Sequence, residues 1–138
     1  MPLVLPYFDT SLLIRTDFSD DGAWRGVCDA ALAPSSPDGF VAVLDCVDDR
    51  RFEGMTAAQV VAVSGADEEP FFVFLADRFT FEHADRPIQV VDLRWAPGRT
   101  FRVVPERMWS VENNLSISNM DFEDFSSSVD ADGIFRGF

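Results

Sequence analysis

Three short, largely apolar segments, each carrying an aspartate at or near its end, constrain this chain more than any other feature. They are SLLIRTD at 11–17, FVAVLDC at 40–46 and FFVFLAD at 71–77, with Asp17, Asp45 and Asp77 at their ends. The second and third run apolar without alternation, as strands do when helices cover both faces of a parallel sheet. Between the first two, Ser19 is placed to cap a helix with Asp20 and Asp21 in its first turn. Trp24, Val27, Cys28, Ala31 and Leu32 then fall on one helical face, and PSSPDG at 34–39 ends it. Thr56 and Gln59 form a capping box that opens TAAQVVAVSG, a short helix closed by Gly65.

IQVVDLRW at 88–95 follows the third strand after about a dozen residues, the minimum for a parallel crossover. Ala96, Pro97 and Gly98 make a tight turn into RTFRVV at 99–104, whose alternation suits an antiparallel hairpin partner. Beyond Pro105 the pattern is irregular or weakly helical until MDFEDFSSSV, where Phe122, Phe125 and Val129 share a helical face. The order predicts an α/β fold: a single-domain sandwich over 11–138, preceded by an N-terminal arm at 1–10. Its sheet is mixed and mainly parallel, of about five strands, with the antiparallel hairpin at the edge. A thioredoxin-like arrangement is the alternative, without that fold's redox motif.

Composition narrows the chemistry. Twenty-four acidic residues against eleven arginines leave a net charge of −13, a field that repels nucleic-acid phosphates and anionic membranes. There is no lysine, which removes Schiff-base chemistry and a lysine general base. Cys28 and Cys46, outside any C-x-x-C spacing, read as reduced thiols of a cytoplasmic protein. The apolar start MPLVLPYFDT lacks a basic region and is broken by prolines, unlike a signal peptide.

If the first three strands are parallel neighbours, Asp17, Asp45 and Asp77 line the carboxyl edge of the sheet, where open α/β sheets bind ligands. Strands about 4.8 Å apart would let the three carboxylates share a Mg²⁺ or Ca²⁺ ion. The spacing D-x-x-D-D, seen as Asp17, Asp20, Asp21 and again as Asp45, Asp48, Asp49, has two plainer explanations: solvated loops, or a network paired with arginine. Arg94, Trp95 and Arg99 flank the hairpin turn and would complete a pocket for a small polar ligand at that edge. Asn113 and Asn114 are a secondary candidate pair, being poor helix formers in an otherwise helical stretch. Residues near 105 are expected at the opposite edge from Asp17. Two EF-hand fragments fail, at Cys28 in the twelfth position and at the chain's end. His83 is the sole histidine and belongs to a loop, with no triad around it. Phe135 and Phe138 of the tail GIFRGF are expected to dock on the core.

RTDFSDD within 12–24, QVVDL at 89–93, WSVENNLS within 109–125 and the terminal DGIFRGF resemble a small family of actinobacterial domains of unknown function. The resemblance implies a bacterial, cytoplasmic, single-domain protein and carries no activity or site with it. Two functions remain. The first is a non-catalytic acidic binding or accessory module of a bacterial cytoplasmic system, meeting a protein partner or a small polar ligand. The second is a small enzyme, of the biosynthetic tailoring kind, with a carboxylate or divalent-cation site at the carboxyl edge. The lack of a nucleophile constellation favours the first.

Overall fold

The computed structural model describes residues 5–6, 10–64 and 70–138. The described residues form one mixed sheet of six strands, with helices on both faces. β1 (Ser11–Arg15) pairs in parallel with β2 (Leu44–Val47) on one side and with β3 (Phe72–Ala76) on the other. Beyond β3 follow β4 (Ile88–Asp92), β5 (Thr100–Val103) and β6 (Ile134–Phe135), giving the order β2-β1-β3-β4-β5-β6. The opening three strands therefore lie side by side and point the same way.

β1 and β3 are buried at every position because α1 (Asp21–Leu32), α4 (Met108–Ser116) and α5 (Phe122–Ser126) cover one face. The 3-10 turn at Arg50–Phe52 and α2 (Ala57–Ala62) cover the other. The first layer closes over Leu13, Phe74 and Val90 with Trp24, Val27, Met108 and Phe125. The second closes over Leu12, Ile14 and Leu75 with Phe52 and Val60. This two-sided burial is what the unbroken apolar runs require.

Several local expectations change. Asp20, not Ser19, caps α1, its side chain accepting from Ala23 N at 2.9 Å. Ser19 is already held by the Asp17 carboxylate through its amide and its hydroxyl. Leu32 is left exposed at the end of α1. The second strand spans four residues and lies at the sheet edge, half-buried, with Phe40, Val41 and Val43 exposed before it. The Thr56–Gln59 capping box is present, while the closure at Gly65 and most of the N-terminal arm lie outside the described residues.

The connection after β3 is no parallel crossover. Asp77 and Thr80 cap each other to open α3 (Arg78–Glu82), and the chain turns back at His83 through Arg86. It thus re-enters at the edge it left, and β4 runs antiparallel to β3. The Ala96 to Gly98 turn then forms as expected, with Gly98 at φ 95° and Arg99 N bonded to Ala96 O. β5 pairs antiparallel with β4, and β6 adds in parallel outside it, so the hairpin is not the outermost element. The stretch after Pro105 holds a helix, α4, buried along its inner face, and α5 is shorter than the ten residues of MDFEDFSSSV. Phe135 is fully buried, whereas Phe138 is exposed and lies against the rings of Phe125 and Phe135. No helix among the described residues is long and apolar enough to cross a membrane.

Candidate functional site

Reversal of β4 redistributes the nominated residues between the two edges of the sheet. Ala76 pairs with Arg15, so Asp77 is level with Thr16 and stands beside Asp17 at the carboxyl edge. Asp45 pairs with Leu12 instead, five residues short of Asp17 and so about 16 Å back along the strand direction. It accepts a hydrogen bond from Thr10 Oγ1. The acidic trio is therefore not assembled, because β2 enters the sheet later than its apolar run suggests. Among the described residues no three His, Cys, Asp or Glu side chains are grouped as metal ligands.

At the carboxyl edge Asp21, Asp48 and Asp77 are held by arginine, while the Asp17 carboxylate is held by Ser19. Arg15, nearly wholly buried, donates from Nη2 to Asp21 at 2.7 Å, from Nη1 to Asp48 at 3.4 Å and from Nε to Asp17 O at 2.9 Å. Its guanidinium also lies 4.4 Å from the centre of the Phe18 ring. The two D-x-x-D-D echoes thus converge on one cation, whose hydrogen bond and charge hold the Asp21 carboxyl below its usual range. Asp77 takes a bidentate pair from Arg102 at 2.9 and 2.7 Å and bonds from Thr80 N and Oγ1. Burial pushes Asp77 up, but Arg102 and Thr80 outweigh it and hold the carboxyl down.

Arg94 and Trp95 lie at the opposite, amino edge, because Phe72 pairs with Asp92 there. Both rest on Phe71: the Arg94 guanidinium sits 4.4 Å above the ring, and Trp95 meets it edge-on at 6.2 Å. Arg99 turns inward, bonding to the buried Asp92 at 3.0 Å and stacking 4.8 Å over Phe122. Asn114 closes the end of α4, its carbonyl accepting from Asn119 N and Met120 N.

Phe71 also forms a wall of a cleft of about 690 Å³ at the amino edge, bordered by Ser11, Val43, Phe72, Glu112 and Asn113. Glu112 is the centre of this site. Its Oε2 accepts from Ser11 Oγ at 2.8 Å, and its Oε1 accepts from Val43 N at 2.7 Å and Asn113 Nδ2 at 3.0 Å. Asn113 Nδ2 also donates to Val41 O at 2.9 Å. At 3% exposure the carboxylate is buried, yet no arginine pairs with it among the described residues. A carboxylate carries about four acceptor positions, and three neutral donors leave one for a ligand.

Sequence reasoning passed over Glu112, although a signal was present. Met108, Val111, Glu112 and Leu115 fall on one helical stripe, and a glutamate in an apolar stripe needs buried partners. Asp92, fully buried, was likewise hidden inside the apolar run of β4. Cys28 and Cys46 are free, half-buried neighbours. Interaction between the two thiols, with burial added, pushes the Cys28 thiol up, while the same interaction lowers Cys46.

Comparison with protein families finds one family model that matches residues 10–138, nearly the whole chain. No curated protein matches it.

Proposed function

The chain belongs to the family of that model, described as a domain of unknown function (DUF6924), and for this member we propose a non-catalytic binding role centred on the amino-edge cleft. The ligand is a cationic group on an apolar body, either a small polar molecule or a basic side chain of a protein partner. One observation carries this reading: Glu112 is a buried carboxylate bonded only to neutral donors, at the wall of an open cleft. A buried charge gains most from an opposite charge that shares its low-dielectric surroundings. Leu12, Phe71, Phe72 and Leu115 supply apolar walls for the body of the ligand. The net charge of −13 attracts cations to the cleft and disfavours nucleic acid and anionic membranes. The setting we propose is a bacterial cytoplasm, on the resemblance of the sequence motifs.

The test is a titration of ¹⁵N-labelled protein with phenethylamine and, separately, with 2-phenylethanol. The amine is expected to shift the amides of Ser11, Val43, Asn113 and Ser116, the alcohol far less, and Glu112→Gln to abolish the difference. Equal response to both probes, or an undiminished response in E112Q, would sink the reading.

A small enzyme is the second reading, and one contact favours it: Ser11 Oγ lies 2.8 Å from Glu112 Oε2, within reach for base-assisted attack. Ser11 is only 8% exposed and begins a buried strand, a poor place for a nucleophile. Covalent labelling of Ser11 by a fluorophosphonate would transfer the function to this second class.

A further inference from the structure

The carboxyl edge holds a second cleft, lined by arginines as well as acids. It has a volume of about 860 Å³ and lies along Gly22, Ala23 and Gly26 of α1, facing Arg86, Arg107 and Arg136. Because β5 runs parallel to β1, residues near 105 emerge at the same edge as Asp17, not at the opposite one. Two connections and the segment after β6 therefore bring three guanidinium groups to the crevice in which open α/β sheets hold ligands.

Two of those three have no carboxylate partner among the described residues. Arg136 is fully used by Asp85, Asp130 and Asp132. Arg86 and Arg107 meet no carboxylate within ion-pair distance among the described residues, in a chain where acids outnumber arginines 24 to 11. The acids lining the cleft are Asp20, Asp85 and Glu106. Asp85 is tied to Arg136, which leaves Asp20, the cap of α1, and Glu106 to face the two remaining guanidinium groups.

Both guanidinium groups also lie against backbone. Gly137, at φ 112°, brings its backbone so close to Arg107 that a Cβ there would stand 2.9 Å from Nε and 3.1 Å from Cζ. Glycine there lets the tail backbone lie against the guanidinium, the far end of a flexible side chain. Arg86 adopts φ 52°, uncommon for a residue other than glycine, and donates from Nη1 to Phe81 O.

We infer that this cleft binds a compact dianion, its oxygens received by Arg86 and Arg107 together. Guanidinium groups suit both phosphate and carboxylate oxygens, so the ligand is a phosphate ester or a dicarboxylate. This site is independent of the amino-edge cleft.

The experiment titrates ¹⁵N-labelled protein with phenyl phosphate and, in a parallel arm, with succinate, each against sodium chloride at equal ionic strength. Saturable shifts are expected at the amides of residues 84–86 and 104–107. The responding arm identifies the phosphate or carboxylate source, and response in both sustains the shared chemistry. Arg107→Gln is expected to weaken binding about tenfold or more, the loss of a hydrogen bond to a charged group. Gly137→Ala is expected to weaken it by displacing Arg107, and Arg25→Gln, outside the cleft, to leave it unchanged. No saturable shift in either arm, or equal affinity in R107Q and R25Q, would overturn the inference. The folded amide spectrum of each variant separates loss of binding from loss of structure.

Discussion

Arg99 donates from Nη2 to Oδ2 of Asp92 at 3.0 Å, and Asp92 is completely buried. The same carboxylate accepts from the amides of Arg94, Trp95 and Ala96. One aspartate thus organises the whole turn between β4 and β5. Removing it strands three amides and a guanidinium, whereas removing Arg99 leaves the three amide bonds intact. Asp92→Ala is expected to cost about 3–5 kcal/mol and Arg99→Ala about 1–2 kcal/mol, read from urea unfolding midpoints. Equal costs for the two variants would contradict this division of roles.

Arg15 stands in the same relation to the carboxyl edge. Its stem is buried in the core while its head holds Asp21 and Asp48, both largely exposed. Arg15→Ala is expected to cost about 3 kcal/mol, since it removes a large buried side chain and all of its contacts. Asp48→Asn should change stability by less than about 0.5 kcal/mol, because its contact is long and solvated. A large loss in D48N would show that the acidic echo itself stabilises the fold.

Asp77 gives the fold a pH dependence of known sign. Its folded carboxyl lies below the ordinary value of 3.8, because Arg102 and Thr80 outweigh burial. A group depressed on folding stabilises fully above its unfolded pKa and loses that contribution as pH falls through the folded one. The contribution is therefore complete above about pH 5 and drains away below about pH 4. Asp77→Asn is expected to flatten the acid limb of the stability profile. Chemical denaturation of both proteins between pH 2.5 and 7 is the measurement, and parallel curves would refute it.

Divalent cations are expected to leave the protein unchanged at millimolar concentration. Asp45 lies level with Leu12, and Asp77 is already bonded to Arg102, so a hard cation would have to displace an arginine to gain two ligands. A rise in melting temperature with Mg²⁺, Mn²⁺ or Ca²⁺, lost in Asp17→Asn, would show that the carboxyl edge rearranges to bind metal.

Much of the architecture was legible in local pattern. The apolar runs around 11–17 and 71–77, the amphipathic face of α1, the Thr56–Gln59 box and the proline-glycine turn all act over a few residues. Each of them appears in the structure. The candidate sites were legible only in part. Asn113 stood out as a poor helix former and does line the amino-edge cleft, but its neighbour Glu112 carries the charge there.

The residues by themselves determined the element types and the acidic character of the chain, because periodicity, capping and charge are properties of near neighbours along it. Only the tertiary structure decided strand direction beyond β3 and the register of β2. A connection of about a dozen residues can cross over or turn back, and nothing local distinguishes the two. That choice sent Arg94 and Trp95 to one edge and Arg107 to the other, and a late-entering β2 moved Asp45 away from Asp17. Which charges meet depends on contacts between residues far apart in sequence, and those exist only once the sheet has formed.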